Sequence, residues 1–250
     1  MLKMLKQMAR QRLRYHIDWE VGQAAKDIEL ARQRRATQES AEFANQCMTM
    51  ARSYPDKFAL LKAAIGQVEV PGLYCEFGVY SGRTINFIAS LTPCEVHGFD
   101  SFEGLPEDWR GGHEKGTFAL RSLPEVRSNV RLYKGWFHDT IPGFKNDHAA
   151  PIAFLHLDAD LYSSTRMVLG MLGDRIVPGT VIQFDEFFNY PGWYEGEYKA
   201  FSEFCVLRDA EMRYLGFTRC DEQVALKVVK IAPVATDSLT ALPTPSSSLP

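Results

Sequence analysis

The sequence predicts a doubly wound, Rossmann-like α/β fold whose mostly parallel sheet ends in an antiparallel hairpin and follows a helical N-terminal extension. Three observations lead to this prediction. Apolar strand-like runs alternate with helical segments from residue 67 onward, which is typical of a parallel sheet covered on both faces. Residues 1–66 instead show apolar side chains at helical spacing. Two strand-like segments near the C-terminus are close enough in sequence to pair directly.

The individual elements follow from short apolar runs and the periodic segments between them. Strands are predicted at Leu73–Val79, Glu95–Asp100, Val130–Lys134, Ile152–Asp158, Thr180–Asp185 and Val224–Val229. Helices are predicted at Arg83–Ser90, Ser163–Gly173 and Glu195–Leu207, and the hairpin joins Arg213–Cys220 to Gln223–Lys230. We expect a helical extension or lid at 1–66 and a cofactor-binding domain at 67–231. A tail at 232–250 is predicted to be disordered, because its proline and serine residues bury little apolar surface.

The composition is that of a soluble globular protein. With 250 residues, 46% of them hydrophobic and 24% charged, the chain can bury one substantial core. No apolar run reaches the length of a membrane-spanning helix. The five cysteines are odd in number and lack the CxxC spacing of metal sites, so we expect reduced thiols and a cytoplasmic location.

The charge is distributed unevenly along the chain. Residues 1–40 contain nine basic and five acidic residues, whereas the rest of the chain is acidic. Five of these basic residues precede the first acidic one, and they are Lys3, Lys6, Arg10, Arg12 and Arg14. We interpret this segment as an amphipathic helix that packs on its own body or on a second subunit. Peripheral contact with an anionic membrane, or with an anionic substrate group, is the alternative. No nucleic-acid partner is expected, because the body is acidic.

A glycine-containing turn after the first strand of the predicted domain indicates a nucleotide cofactor. Gly78 and Gly82 allow a tight turn and the close approach of a ligand. Asp100 ends the next strand about 20 residues further on, where a carboxylate can accept hydrogen bonds from ribose hydroxyls. Glu76 is a poor neighbour for a pyrophosphate but suits an α-amino group, which favours S-adenosylmethionine over NAD. The segment Gly135-Trp136-Phe137 either flanks an adenine or packs in the core.

Two acidic clusters follow two neighbouring strands of the predicted sheet. Asp158 and Asp160 come directly after one strand, and Asp185 and Glu186 come after the next. Adjacent parallel strands place their carboxyl ends side by side, so the four carboxylates should converge. Converging carboxylates repel one another unless a cation or shared protons relieve them, and oxygen ligands suit Mg²⁺. The sequence therefore predicts a cofactor enzyme with a metal-assisted step.

Taken together, these motifs form an ordered set that resembles one known family. The set comprises Glu76-Phe77-Gly78-Val79-Tyr80-Ser81-Gly82, Gly98-Phe99-Asp100-Ser101-Phe102-Glu103-Gly104-Leu105-Pro106, Gly135-Trp136-Phe137-His138-Asp139-Thr140-Ile141-Pro142, His156-Leu157-Asp158-Ala159-Asp160-Leu161-Tyr162-Ser163-Ser164-Thr165 and Pro178-Gly179-Thr180 with Asp185-Glu186. Over about residues 43–230 the chain resembles the macrocin O-methyltransferases, which are class I S-adenosylmethionine-dependent enzymes that methylate sugar hydroxyls and need magnesium. The resemblance implies a class I methyltransferase fold, a sugar or glycosylated small-molecule acceptor and a homo-oligomer.

The resemblance also implies roles for individual residues. Asp158, Asp185 and Glu186 would bind Mg²⁺, and Asp160 would be the general base, with Asp158 as its catalytic neighbour. The implied S-adenosylmethionine contacts are Glu76, Gly78, Tyr80, Ser81, Gly82, Asp100, Ser101, Gly135, Trp136, Phe137 and Asp158. Coordination lowers the pKa of a hydroxyl, and a nearby carboxylate can then accept its proton while the oxygen attacks the methyl group.

Several alternatives remain open at this point. Asp160 could cap the helix that begins near Ser163 instead of acting as a base. His156 lies inside its strand, so we interpret it as a core histidine or a support for the site. The aromatic residues that follow Glu186 suit sugar stacking and core packing equally; they are Tyr190, Trp193, Tyr194 and Tyr198. The acceptor could also be a phenolic diol, or the protein could be a scaffold that binds S-adenosylmethionine without catalysis.

Overall fold

The structure is a computed structural model, and it describes residues 2–233. The helices are α1 (Leu2–Ala24), α2 (Ile28–Cys47), α3 (Lys57–Ile65), α4 (Arg83–Ser90), α5 (Phe137–Asp147), α6 (Tyr162–Leu172) and α7 (Glu197–Leu207). The strands are β1 (Arg52–Tyr54), β2 (Leu73–Phe77), β3 (Val96–Asp100), β4 (Val130–Lys134), β5 (Ile152–Leu157), β6 (Val181–Phe184), β7 (Glu211–Thr218) and β8 (Val224–Lys230). Short 3₁₀ helices span Gly173–Arg175 and Trp193–Glu195.

These strands form one eight-stranded sheet in the order β1-β7-β8-β6-β5-β2-β3-β4. Within this sheet β8 runs antiparallel to both of its neighbours, β6 and β7, and the remaining pairs are parallel. The predicted fold class is therefore confirmed, including the closing hairpin. The chain winds in opposite directions from β2 and β5, so the crevice at the carboxyl ends of these two strands is the expected ligand site.

The strand register places the predicted site residues together. Phe77 is opposite Leu157 on β5, and Leu157 is opposite Phe184 on β6. Every residue of β5 and β6 is buried, because helices cover both faces of the sheet. The residues that follow these strands, Asp158 and Asp185, consequently leave the sheet side by side.

The N-terminal part differs from the predicted helical extension in one respect. The segment Arg52–Tyr54 forms β1, which pairs with β7 and joins this part to the main sheet. The helix α3 begins next to it, where the Asp56 side chain accepts hydrogen bonds from the N–H groups of Phe58 and Ala59, each at 2.9 Å. As a result the first residue of α3, Lys57, lies at the carboxyl edge of the sheet.

The long helix α1 is exposed in the single chain, and packing of this helix on a second subunit stays a prediction. None of its side chains that the structure describes is buried, and Tyr15, Trp19 and Val21 are more than half exposed, at 75%, 52% and 63%. The predicted packing of this segment on its own body is therefore wrong for the described side chains. Among the described residues we find no helix with both the length and the apolar character needed to cross a bilayer. Most of the predicted disordered tail, residues 234–250, lies outside the described residues.

Candidate active site

A cavity of about 740 Å³ opens at the carboxyl edge of the sheet. Each of the four central parallel strands contributes residues to its lining: Gly78 after β2, Asp100 at the end of β3, Asp158 after β5 and Asp185 after β6. The same cavity therefore joins the glycine turn to the acidic clusters, as the order of the strands requires.

The glycine turn is pressed against the end of β5. Gly78 has a positive φ of 90°, and a Cβ there would overlap the carbonyl oxygen of Asp158. Its N–H donates a 3.0 Å hydrogen bond to the carbonyl oxygen of Phe99 on β3. Glycine is required here by both backbone conformation and space. Tyr80 and Ser81 follow and line the cavity, whereas Gly82 begins α4 with a φ of 77° outside the lining.

Asp100 lines the cavity and also holds the glycine turn in place. Its Oδ2 accepts hydrogen bonds from the N–H groups of Val79 at 2.9 Å and Tyr80 at 2.8 Å. Its Oδ1 accepts a 2.6 Å hydrogen bond from the N–H of Phe102. A carboxylate offers about four acceptor positions, so one remains for a ligand hydroxyl. The neighbouring Ser101 lines the cavity as well.

An aromatic pair forms another wall of the cavity. Trp136 and Phe137 both line it and begin α5, a helix that the sequence did not predict. Phe137 packs edge-on against Phe77, with ring centroids 5.2 Å apart. The preceding Gly135 does not line the cavity; its N–H donates to the carbonyl oxygen of Asp100 at 3.0 Å. Gly135 thus extends the pairing of β4 with β3 by one hydrogen bond. The aromatic pair Trp136 and Phe137 remains available to a ligand.

Glu76 does not line the cavity, although the sequence predicts that it faces an α-amino group. Its side chain is 0% exposed, and Oε1 lies 2.8 Å from Nδ1 of His156, the residue opposite it on β5. Burial raises the pKa of Glu76, and the hydrogen bond from His156 opposes this rise. The structure therefore pairs Glu76 with His156 inside the sheet instead of directing it at a ligand.

The four predicted carboxylates meet at one end of the cavity. One oxygen from each of Asp158, Asp160 and Glu186 lies within 4.8 Å of the others. A second such group consists of His156, Asp158 and Asp185. Burial, with repulsion from Asp185, raises the pKa of Asp158 and Glu186 well above the usual range. These groups could hold a hard cation, which would relieve the repulsion.

Asp160 occupies a distinct position in this cluster. It has a positive φ of 61°, which is uncommon for a residue with a side chain, and it lines the cavity. The alternative role as a helix cap is wrong: Leu161 occupies the N-cap of α6, and no side chain caps that helix. Burial, with repulsion from Asp185, raises the pKa of Asp160 to about 7, which suits a group that exchanges a proton near neutral pH.

Lys57 belongs to the same cluster, and sequence reasoning missed it. Its Nζ lies 2.9 Å from Asp185 Oδ2 and 3.8 Å from Asp158 Oδ2. On the other side of Asp185, His156 Nε2 lies 3.7 Å from Oδ1. Burial opposes the ionisation of Asp185, but His156 and Lys57 outweigh it and lower the pKa to about 2. Burial likewise opposes the protonation of His156, but Asp185 and Glu76 raise its pKa to about 10.

A buried glutamate holds the backbone of the acidic cluster in place. Glu197, the first residue of α7, is 0% exposed, and its Oε1 accepts a 2.8 Å hydrogen bond from the Thr165 hydroxyl. Its Oε2 accepts a 3.1 Å hydrogen bond from the N–H of Glu186. Burial raises the pKa of Glu197 to about 8. No sequence pattern indicates this contact, because a glutamate in the first turn of a helix is ordinarily exposed.

The loop between β3 and β4 covers the cavity and is anchored on both sides of it. Arg110 Nη1 lies 3.0 Å from both carboxylate oxygens of Glu222, in the turn between β7 and β8. The Arg110 guanidinium also stacks on the Trp109 ring, 3.9 Å from its centroid. Across the cavity the hydroxyl of Ser163 donates a 2.6 Å hydrogen bond to Glu107. Trp109 lines the cavity, so this loop presents an aromatic face to a ligand.

Three of the four aromatic residues that follow Glu186 pack in the core, and the fourth, Tyr194, is exposed. Tyr190 and Trp193 are 5% and 6% exposed and belong to the larger hydrophobic cluster. Tyr198 lies in an aromatic group with Trp193, at a centroid distance of 4.9 Å. Of the two open alternatives for this segment, the structure supports packing, and none of these residues lines the cavity.

The fold and the position of the cavity define the class: this is the doubly wound architecture of the class I methyltransferases. The chain belongs to the macrocin O-methyltransferase family, whose sequence model matches residues 3–205. The solved structure of CalS11, a calicheamicin methyltransferase, superimposes with a TM-score of 0.58 at 26% identity, covering 68% of this chain and 77% of that one. The O-methyltransferase NovP has the same fold, with a TM-score of 0.54 at 22% identity over 69% of this chain and 79% of that one.

Two curated relatives are similar over part of the chain. The 8-demethyl-8-(2,3-dimethoxy-alpha-L-rhamnosyl)-tetracenomycin-C 4'-O-methyltransferase of Streptomyces olivaceus is 33% identical over 144 residues, covering 47% of this chain and 54% of the relative. The demethyldecarbamoylnovobiocin O-methyltransferase of Streptomyces niveus is 30% identical over 147 residues, covering 49% of this chain and 55% of the relative. The chain thus spans about half the length of the curated relatives that it matches.

Proposed function

We propose that this protein is an S-adenosylmethionine-dependent O-methyltransferase that methylates a hydroxyl of a sugar or glycosylated small molecule, with Mg²⁺ as a second cofactor. The observation that carries the proposal is that one cavity contains both the glycine turn with Asp100 and the cluster of strand-end carboxylates. Family membership supports it, as do the names of the curated relatives, which are an O-methyltransferase of a rhamnosyl-tetracenomycin and one of demethyldecarbamoylnovobiocin.

The half of the cavity formed by β2, β3 and β4 suits S-adenosylmethionine. Asp100 retains one acceptor position for a ribose hydroxyl, and the pair Trp136 and Phe137 can flank an adenine. Tyr80, Ser81 and Ser101 line the space between these groups. The cofactor supplies a methyl group that is activated by a positively charged sulfur.

The acidic half of the cavity suits a divalent cation. Two buried carboxylate oxygens, Asp185 Oδ1 and Glu186 Oε2, have no hydrogen-bond partner among the described residues. With Asp158 they supply three oxygen donors of the kind that Mg²⁺ prefers. A cation bound there would lower the pKa of an acceptor hydroxyl. Glu197 would hold the Glu186 backbone in place through its hydrogen bond to that N–H.

Asp160 is proposed to be the general base. Its carboxylate takes the proton of the acceptor hydroxyl while the hydroxyl oxygen forms a bond to the methyl carbon and the carbon–sulfur bond breaks. The electron pair of that bond stays on sulfur, so the second product is neutral S-adenosylhomocysteine. Burial raises the pKa of Asp160, which makes it a stronger base than an exposed aspartate.

Methyl transfer measured with and without chelation tests the proposal. Binding of S-adenosylmethionine and S-adenosylhomocysteine is measured by calorimetry, followed by assays with nucleotide deoxysugars, glycosylated aromatic acceptors and catechol. We expect transfer to a sugar hydroxyl that is lost with EDTA and in Asp158→Ala. Transfer to catechol alone would replace the sugar acceptor by a phenolic diol. Cofactor binding without transfer to any acceptor would identify a scaffold.

A further inference from the structure

Lys57 is placed where a cation is needed but where a helix disfavours one. It is the first residue of α3, and a positive charge at a helix N-terminus opposes the helix dipole. Its side chain is 27% exposed and lines the cavity, and it points at the carboxylates that end β5 and β6. The ammonium lies 2.9 Å from Asp185 Oδ2 and 3.8 Å from Asp158 Oδ2. The carboxylates therefore account for the position of this charge.

The contacts of Lys57 overlap with those proposed for the divalent cation. Asp158 and Asp185 are two of the three residues assigned to Mg²⁺, and each directs one oxygen at Lys57. A metal ion bound through Asp185 Oδ1, the second oxygen of the same carboxylate, and through Asp158 would lie within a few ångströms of the ammonium. At about 5 Å, repulsion between a single and a double positive charge amounts to several kcal/mol even at an effective dielectric constant of about 20.

We propose that Lys57 is a built-in counter-cation that competes with the divalent ion for Asp158 and Asp185. It is a positioning residue: it holds the two carboxylates together in the metal-free protein and withdraws from them when metal binds. This inference rests on the metal part of the proposed function. The inference implies that Lys57 lowers the affinity of the site for metal and stabilises the arrangement of the two carboxylates in the metal-free protein.

Mn²⁺ binding to the full chain, measured by calorimetry without cofactor or acceptor, tests this inference. The variants are Lys57→Met, which removes the charge at similar length, and Lys57→Arg, which retains it. The matched control is Lys62→Met, because Lys62 is an exposed lysine on the same helix. We expect Lys57→Met to bind Mn²⁺ at least tenfold more tightly than the wild type. Lys57→Arg and Lys62→Met should stay within about threefold of the wild type.

Thermal unfolding provides the second readout. In EDTA, Lys57→Met should melt at a lower temperature than the wild type, since only His156 then offsets the repulsion between Asp158 and Asp185. Addition of Mn²⁺ should restore the melting temperature. Lys57→Met could fail to fold in EDTA. In that case Mn²⁺ should restore its folded state at concentrations that do not change the melting temperature of the wild type.

The outcomes separate this inference from the proposed function. If the wild type binds Mn²⁺ and Lys57→Met binds it equally or more weakly, Lys57 does not compete with the metal. The proposed metal site would then be unaffected. Binding in Lys57→Met but not in the wild type would support Lys57 as the counter-cation and contradict the magnesium requirement. Absence of binding in both would overturn both.

Discussion

His156 Nδ1 lies 2.8 Å from Glu76 Oε1 in the middle of the sheet, and neither side chain is exposed to solvent. The two residues are opposite one another on β5 and β2, the strands whose carboxyl ends flank the crevice. Through His156 Nε2, 3.7 Å from Asp185 Oδ1, the pair is linked to the acidic cluster. A buried, hydrogen-bonded pair inside the sheet thus supports the acidic cluster at the sheet edge.

Replacing Glu76 by glutamine is expected to destabilise the fold strongly if the pair with His156 is ionic. Glu76→Gln leaves the imidazolium of His156 with Asp185 as its remaining charged neighbour, and breaking a buried pair in this way costs about 3 kcal/mol. Chemical denaturation measures the free energy of unfolding. The matched control is Glu95→Gln, an exposed glutamate 3.8 Å from His97, which should change stability by less than about 0.5 kcal/mol. A loss below about 1 kcal/mol in Glu76→Gln would show that the pair is not ionic.

Substituting the proposed base should reduce turnover without affecting cofactor binding. Asp160→Asn keeps the size of the side chain but cannot accept the proton, so kcat should fall by about 10²–10⁴-fold. Calorimetry should give an unchanged Kd for S-adenosylmethionine. Asp147→Asn, at an exposed aspartate of α5, serves as the control. Full activity in Asp160→Asn would assign the proton to another acceptor.

Alanine at Gly78 should damage both the fold and the cofactor site. Its Cβ would overlap the Asp158 carbonyl oxygen at a φ of 90°, so we expect a loss of at least about 2 kcal/mol in unfolding free energy. Binding of S-adenosylmethionine should weaken in parallel. Gly143→Ala in α5 has no neighbour within 4 Å and should be neutral or stabilising. Equal stability of the two variants would contradict the tight packing of the turn.

Trp109 is expected to contribute to acceptor binding. If a sugar stacks on its ring, Trp109→Ala should raise the acceptor KM about tenfold, equivalent to about 1.4 kcal/mol, with cofactor affinity unchanged. Tyr194→Ala is the control, because Tyr194 is 52% exposed and lies outside the cavity lining. The reverse pattern, with an effect at Tyr194 only, would place the acceptor elsewhere.

The pH dependence of stability should include a contribution from His97. Burial and the nearby His148 lower the pKa of His97 to about 4, from its ordinary value of 6.5. As the pH falls below 6.5 the unfolded chain binds a proton that the folded chain does not, so stability is lost between about pH 6.5 and pH 4. Urea unfolding of His97→Gln should show a shallower loss over this range. The exposed His138→Gln should follow the wild type.

The sequence predicted the parts of the fold that are encoded locally. Continuous apolar runs such as Ile152–Leu155 identified the buried strands, and the carboxylates after these strands lie together as predicted. The strand β1 has only three residues and pairs with β7, which is far away in sequence, so no local pattern marks it. The helix α5 was missed because it contains Pro142; packing of Ile141 and Phe144 in the core stabilises it.

The sequence motifs predicted which residues line the site. They did not predict the residues that contact and position those side chains. Asp100 and the strand-end carboxylates line the cavity as expected. Lys57 and Glu197 could not be distinguished from ordinary surface residues of helices, because their role depends on partners that are distant in sequence. The metal set, the general base and the individual cofactor contacts remain predictions.

The contact between Arg110 and Glu222 joins the segment that the family model matches to the hairpin beyond it. The family match ends at residue 205, whereas Glu222 lies beyond it, in the hairpin that closes the sheet. The cofactor turn and the acidic cluster belong entirely to the matched segment. Changes in the hairpin could therefore reshape the cover of the cavity, and with it the choice of acceptor, while the transfer chemistry stays intact.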